Sequence, residues 1–151
     1  MEIGSGNSTK FAKKAILDHN LETKIISIDP YPRADIDKIA DSNIRKRLED
    51  LELSIFEELG ENDMLFIDGS HHCFMNSDAT VIFLEILPRL KSNVIVQIHD
   101  IFLPYDYPPG WENRYYSEQY LLAAYLLAGT KIFNIILPMQ YISKDEELEG
   151  C

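Results

Sequence analysis

Two cysteines, Cys73 and Cys151, are all that a chain of 151 residues carries. That is too few for a disulfide framework, and no repeated spacing suggests zinc. A reducing, cytoplasmic setting is expected. Basic residues are scarce: 14 Lys and Arg stand against 25 Asp and Glu, a formal net charge of -11. Such a surface lacks the basic face and counterion release that phosphate backbones demand, so nucleic acid is not expected as a partner. No apolar run reaches the roughly 18 residues of a membrane span, and no basic stretch leads into an apolar one at the start. Neither membrane nor export signal is read. Internal repeats and low-complexity tracts are absent.

What is present is a hydrophobic content of 46%, enough for one compact domain with a core of its own. Strand and helix patterns alternate. Apolar residues at Phe11, Ala12, Ala15 and Ile16 predict a helix over Ser8–His19 with one buried face, capped by Asn7 or Ser8. Lys24–Ile28 reads as a strand stopped by Asp29-Pro30, where proline removes ladder donors. Ile36–Leu48 reads as a charged helix or a helix with a short strand, and Leu53–Leu59 as a short helix closed by Gly60. Met64–Ile67 and Val94–Val96 are apolar at every position, as expected of strands covered on both faces. Helices are predicted over Asp78–Leu90 and Ser117–Ala128, the latter ended by Gly129, and a strand over Lys131–Leu137. Right-handed crossovers then give an α/β fold with a doubly wound, mostly parallel sheet. The chain opens almost on a glycine turn, so a truncated first strand is expected, and a last strand after Leu137 is expected to be missing.

Carboxylates and histidines stand where the strands end, which is where open α/β sheets bind ligands. Gly4-Ser5-Gly6 follows the first strand; glycines permit a sharp turn and close approach, and the next helix offers free N–H groups. The third glycine of G-x-G-x-x-G is lacking, which argues against the dinucleotide fingerprint. Asp29, at the tip of the second strand, can accept hydrogen bonds from two ribose hydroxyls, or can cap the turn into Pro30. Asp68-Gly69-Ser70-His71 and His99-Asp100 close the next two apolar strands and together can hold a divalent ion beside a base. Equally, Asp68 can cap a helix and His99 can pack under a loop. His19 and His72 read as surface or supporting histidines, and Cys73 as a small apolar residue.

These four blocks, Glu2-Ile3-Gly4-Ser5-Gly6-Asn7-Ser8-Thr9, Ile28-Asp29-Pro30, Phe66-Ile67-Asp68-Gly69-Ser70-His71 and Ile98-His99-Asp100-Ile101, resemble the class I S-adenosylmethionine-dependent methyltransferases. The resemblance is to their metal-dependent small-molecule O-methyltransferases, which include the macrolide-sugar enzymes. It implies a Rossmann-like fold and S-adenosyl-L-methionine as cofactor, held by Glu2, Gly4, Ser5, Gly6 and Asn7, with Asp29 on the ribose. Glu49 or Asp50 would lie near the adenine and Asp68 beside the cofactor. It further implies Mg or Mn at Asp68, His99 and Asp100, with His71 as the base. His99 stands where the relatives usually have a carboxylate, and imidazole suits zinc, manganese or iron better than magnesium.

The implied chemistry is methyl transfer to a hydroxyl of a small acceptor. The aromatic loop Tyr105–Trp111, with Asn113, Arg114, Tyr115 and Tyr116, either walls the acceptor pocket or seals the sheet edge. Two other readings are a binding-only nucleoside domain and a metal-dependent hydrolase using Asp68, His71, His99 and Asp100. Self-association into a homo-oligomer is expected from the aromatic loop and the open sheet edges.

Overall fold

A computed structural model describes residues 1–32, 35–129 and 133–147. Five strands, β1 (Glu2–Ile3), β2 (Ile26–Ile28), β3 (Ser42–Ile44), β4 (Met64–Ile67) and β5 (Ile95–Ile98), form one sheet in the order β3-β2-β1-β4-β5. Every pairing is parallel, so each connection must cross back over the sheet. The chain winds outward from β1 to β3, then returns to lay β4 and β5 on the other side of β1. Right-handed crossovers put the helices of the two halves on opposite faces, and the order reverses between β1 and β4.

The register fixes what meets at the carboxyl edge. Ile3 lies opposite both Ile28 and Ile67, and Ile67 opposite Ile98. The residues that follow these four, Gly4, Asp29, Asp68 and His99, therefore emerge side by side, one strand spacing of about 4.8 Å apart. β1 is short, yet its hydrogen bonds run from Met1, whose carbonyl accepts from Phe66, to Gly4, whose N–H donates to Ile28.

Helix α1 (Asn7–Asp18) links β1 to β2, and α2 (Asp78–Val81) links β4 to β5. α2 runs on through a π turn (Ile82–Ile86) into a 3-10 turn (Leu87–Arg89). Ser77 Oγ caps it by accepting from the Thr80 N–H, and Pro88, which has no N–H to give, falls where the helix tightens and ends. Short 3-10 turns at Leu48–Asp50 and Leu53–Glu58 precede β4. α3 (Glu118–Leu127) follows the loop after β5 and ends at Gly129, φ +69°, as expected; α4 (Met139–Ile142) comes last.

The main apolar cluster gathers on one face. Ile3, Ile28, Leu65 and Ile67 pack with Phe56, Val81, Ile82, Phe83 and Ile86, and α3 joins them through Tyr125, which donates to the Phe83 carbonyl at 3.0 Å. Met64 is 44% exposed and Phe66 half-buried, so the expectation of two covered faces is corrected. The expected apolar face of α1 is corrected too. Phe11 is 74% exposed and Ala12 and Ala15 are exposed, whereas Thr9 is fully buried, because α1 meets the sheet through its first turn. Residues 133–137 of the expected last strand form no strand, and Lys131 and Ile132 lie outside the described residues. Among the described residues no helix is long and apolar enough to cross a membrane.

Candidate functional site

Gly4 carries a steric demand that no other residue meets. Its φ is +80°, and a Cβ there would stand 2.0 Å from the Asp68 carbonyl oxygen. β1 can leave the sheet between β2 and β4 only with glycine in that place. Glu2, buried behind the turn, accepts hydrogen bonds from Thr9 Oγ1 (2.5 Å) and Ser8 Oγ (3.3 Å). Burial pushes its carboxyl pKa up, and the two hydroxyls pull it back. Thr9 Oγ1 also accepts from the Gly6 N–H at 3.1 Å. Thr9, rather than Asn7 or Ser8, thus ties down the start of α1. Glu2 braces the loop from within, Asn7 is exposed, and a Cβ on Gly6 would meet nothing within 4 Å, so the loop faces open space.

Asp29 joins this loop directly. Ser5 Oγ donates to its Oδ2 at 2.7 Å, and the Tyr31 N–H donates to its Oδ1 at 2.8 Å. Asp29 closes the turn through Pro30, and its carboxylate lies against the glycine loop. Glu49 is placed elsewhere, in a cleft of about 240 Å³ lined also by Leu48, Asn76, Val81 and Arg89. Asp50 is exposed at the end of the same turn.

The next two strand tips converge on His71. Its backbone is left-handed, φ 63°, as is that of Asp100, φ 53°. Such conformations are uncommon outside glycine and are held in place by their surroundings. The ring is 4% exposed. Nε2 lies 3.3 Å from Asp68 Oδ1 and 3.8 Å from Asp100 Oδ2, while Nδ1 meets Glu118 Oε1 in a short contact. Burial alone would lower the imidazole pKa, but the hydrogen bonds to Asp68 and Glu118 outweigh it and push the value up from 6.5 to about 10. These surroundings favour the imidazolium, with Nδ1 on Glu118 and Nε2 on Asp68.

Glu118 is the residue the sequence reading missed. It is 1% exposed, at the first turn of α3, and its pattern in sequence is that of any acid opening a helix. Its neighbours share in the work. The Ser117 and Glu118 N–H groups donate to the His71 carbonyl at 2.8 and 3.3 Å, and Ser117 Oγ accepts from the Cys73 N–H at 2.8 Å. Gln119 Oε1 accepts from the Phe102 N–H at 3.0 Å. Three consecutive residues thus clasp the loop after β4 to the loop after β5. Cys73 is half-buried and its thiol pKa is pushed up by burial, in keeping with a small packing residue.

The aromatic loop roofs this cluster. Tyr116 lies 4.4 Å from the His71 ring, Trp111 meets Tyr116 edge-on at 5.6 Å, and Tyr107 stacks beside Trp111. The Arg114 guanidinium covers the Trp111 face at 3.9 Å. The rings are spent largely on one another, which favours the sealing role of this loop.

The expected ion site fares differently. His99 Nδ1 is 3.1 Å from Asp100 Oδ1 and 3.7 Å from Asp68 Oδ1, so the three residues do meet. Their contacts are nitrogen against oxygen, however, and His71 Nε2 points at the same two carboxylates. Among the described residues no three His, Cys, Asp or Glu side chains are arranged to hold a metal ion. A metal at Asp68, His99 and Asp100 is therefore not shown, and two carboxylates with an imidazole would suit manganese better than magnesium.

A parallel sheet with a glycine turn after β1, an acid after β2 in contact with it, and polar groups massed beyond β4 and β5 is that of an open, Rossmann-like α/β domain. The chain belongs to a methyltransferase family: the family described as a methyltransferase domain matches residues 1–101. The match ends just beyond β5, before the aromatic loop and Glu118. No curated protein and no solved structure matched the chain.

Proposed function

We propose that this domain transfers a methyl group from S-adenosyl-L-methionine to a hydroxyl oxygen of a small acceptor. The observation that carries the reading is the direct contact of Ser5 with Asp29, which sets a ribose-binding carboxylate against the glycine turn one strand away from the His71 cluster. The residues fit the donor: Gly4 brings backbone close, Gly6 faces open space, and Asp29 keeps acceptor lone pairs for two hydroxyls. When bound, S-adenosylmethionine supplies an electrophilic methyl on sulfur, and a neutral thioether is left behind. Ser5, Gly6 and Asn7 would line its path, Asp68 would stand beside it, and Glu49 and Asp50 are the acids nearest in sequence to an adenine site.

His71 we assign to the acceptor oxygen. The resemblance gives it the acceptor's proton, but as an imidazolium it already holds one. We therefore give His71 the task of orienting the oxygen through Nε2–H, and give Asp68 or Asp100 that of receiving the hydroxyl proton. Tyr116 covers the His71 ring, while Asp68 remains open to solvent and to an incoming acceptor. These roles are filled by side chains alone, and the hydrolase reading leaves the Ser5–Asp29 contact without a use.

Calorimetric titration with S-adenosylhomocysteine tests the reading. Binding is expected in the wild-type chain and a loss on the order of 10²-fold in Asp29→Ala, since hydrogen bonds to a charged group contribute about 1.5–3 kcal/mol each. A folded wild-type protein that binds none of it overturns the donor site. Transfer of labelled methyl to amines alone, across a panel of alcohols, phenols and amines, overturns the hydroxyl acceptor.

A further inference from the structure

Glu118 is a buried acid that the proposed reaction does not use. It lies 47 residues from His71 in sequence, yet its Oε1 closes on His71 Nδ1, the one ring nitrogen turned away from Asp68 and Asp100. We propose that Glu118 is a positioning residue: it fixes the plane of the His71 ring so that Nε2–H faces the crevice between the tips of β4 and β5. The inference rests on the methyltransferase reading for its purpose, and on geometry alone for its content.

Three observations support it. The His71 ring turns about Cα–Cβ and Cβ–Cγ; Tyr116 at 4.4 Å covers one face and Asp68 meets Nε2, which leaves Nδ1 as the end still to be fixed. Glu118 Oε1 fixes that end, and the acid is itself held, because the backbone N–H groups of Ser117 and Glu118 both donate to the His71 carbonyl. Ring and acid are therefore carried by the same knot of chain. Finally, an acid that is 1% exposed and held in an apolar setting is expensive to keep charged without a paired cation. Serving only as a helix-opening acid would not require burial, since that role works at the surface. The arrangement has the logic of a buried carboxylate behind an imidazole whose far nitrogen faces the site.

The experiment is a side-chain ¹H–¹⁵N spectrum of protein labelled at histidine, recorded for the wild type, Glu118→Gln and Glu118→Ala, with melting temperature and S-adenosylhomocysteine calorimetry on each. The wild type is expected to show one imidazole whose Nδ1–H is far downfield and protected from exchange, assigned by its loss in His71→Asn. Glu118→Gln keeps an acceptor oxygen, so the resonance should persist, shifted upfield. Glu118→Ala should lose it, while homocysteine-ligand affinity stays that of the wild type. A Glu118→Ala protein that melts lower but keeps the resonance in place makes Glu118 a structural anchor only and overturns the proposal. Should Glu118→Ala fail to fold, an unshifted resonance in Glu118→Gln overturns it just as well. A wild type that shows the resonance but binds no S-adenosylhomocysteine leaves the positioning contact intact and removes the methyltransferase reading instead.

Discussion

The raised pKa of His71 makes stability fall as pH rises, and the size of the fall can be worked out. The imidazole goes from 6.5 when unfolded to about 10 in the fold. A group raised in this way contributes its full stabilisation below about pH 6.5 and loses it as pH climbs through 10. At about 1.4 kcal/mol for each pH unit, roughly 4 kcal/mol is in force at pH 7 and roughly 1.5 at pH 9, a loss of roughly 2–3 kcal/mol. Urea unfolding followed by circular dichroism between those pH values reads it. The background should be Cys73→Ala, because burial raises the Cys73 thiol and gives a slope of the same sign near pH 9. The reference is the same protein with His71→Asn and Glu118→Gln, which removes the imidazolium and its buried partner together and so avoids stranding a charge. Burial lowers the N-terminal amine of Met1 and works in the opposite sense, but it is common to both proteins and cancels. A difference between the two proteins that is flat, or that grows with pH, refutes a protonated His71 and with it the division of roles among His71, Asp68 and Asp100.

Two other substitutions test the frame that holds the site. Gly4→Ala puts a Cβ 2.0 Å from the Asp68 carbonyl at a φ of +80°; a loss of more than about 3 kcal/mol is expected, and an unchanged melting curve would show that the exits of β1 and β4 do not lie this close. Phe83→Ala empties a fully buried position against Tyr125. It should cost about 3–5 kcal/mol in urea unfolding, and a cost below about 1 kcal/mol would mean that this face of the sheet is not packed as described.

Much of this could be read from the sequence, because sheet registry and strand-tip chemistry are both local. Ile3, Ile28, Ile67 and Ile98 each close an apolar run, and each is followed by a residue suited only to an exit: Gly4, Asp29, Asp68, His99. Parallel pairing did the rest by aligning those ends. The face of α1 was misread for a reason of the same kind. Apolar spacing tells which residues of a helix can share a face, but not whether a neighbour covers it. The pull that docks α1 comes from Glu2 through Thr9, a polar contact at one end that leaves Phe11 outside.

The setting of the expected ion site is where local reading has no purchase. Asp68, His99 and Asp100 do gather, as the blocks suggested, and the ring of His71 is placed among them. His71 is turned onto Asp68 and Asp100 because its other nitrogen is held by Glu118. Nothing in Ser117-Glu118-Gln119 announces this, since an acid in the first turn of a helix is ordinary on macrodipole grounds. Only the docking of α3, set by Tyr125 on Phe83 far along the helix, brings that turn over the strand tips. The setting of the His71 ring is thus a property of tertiary packing between a segment inside the matched family span and one beyond it.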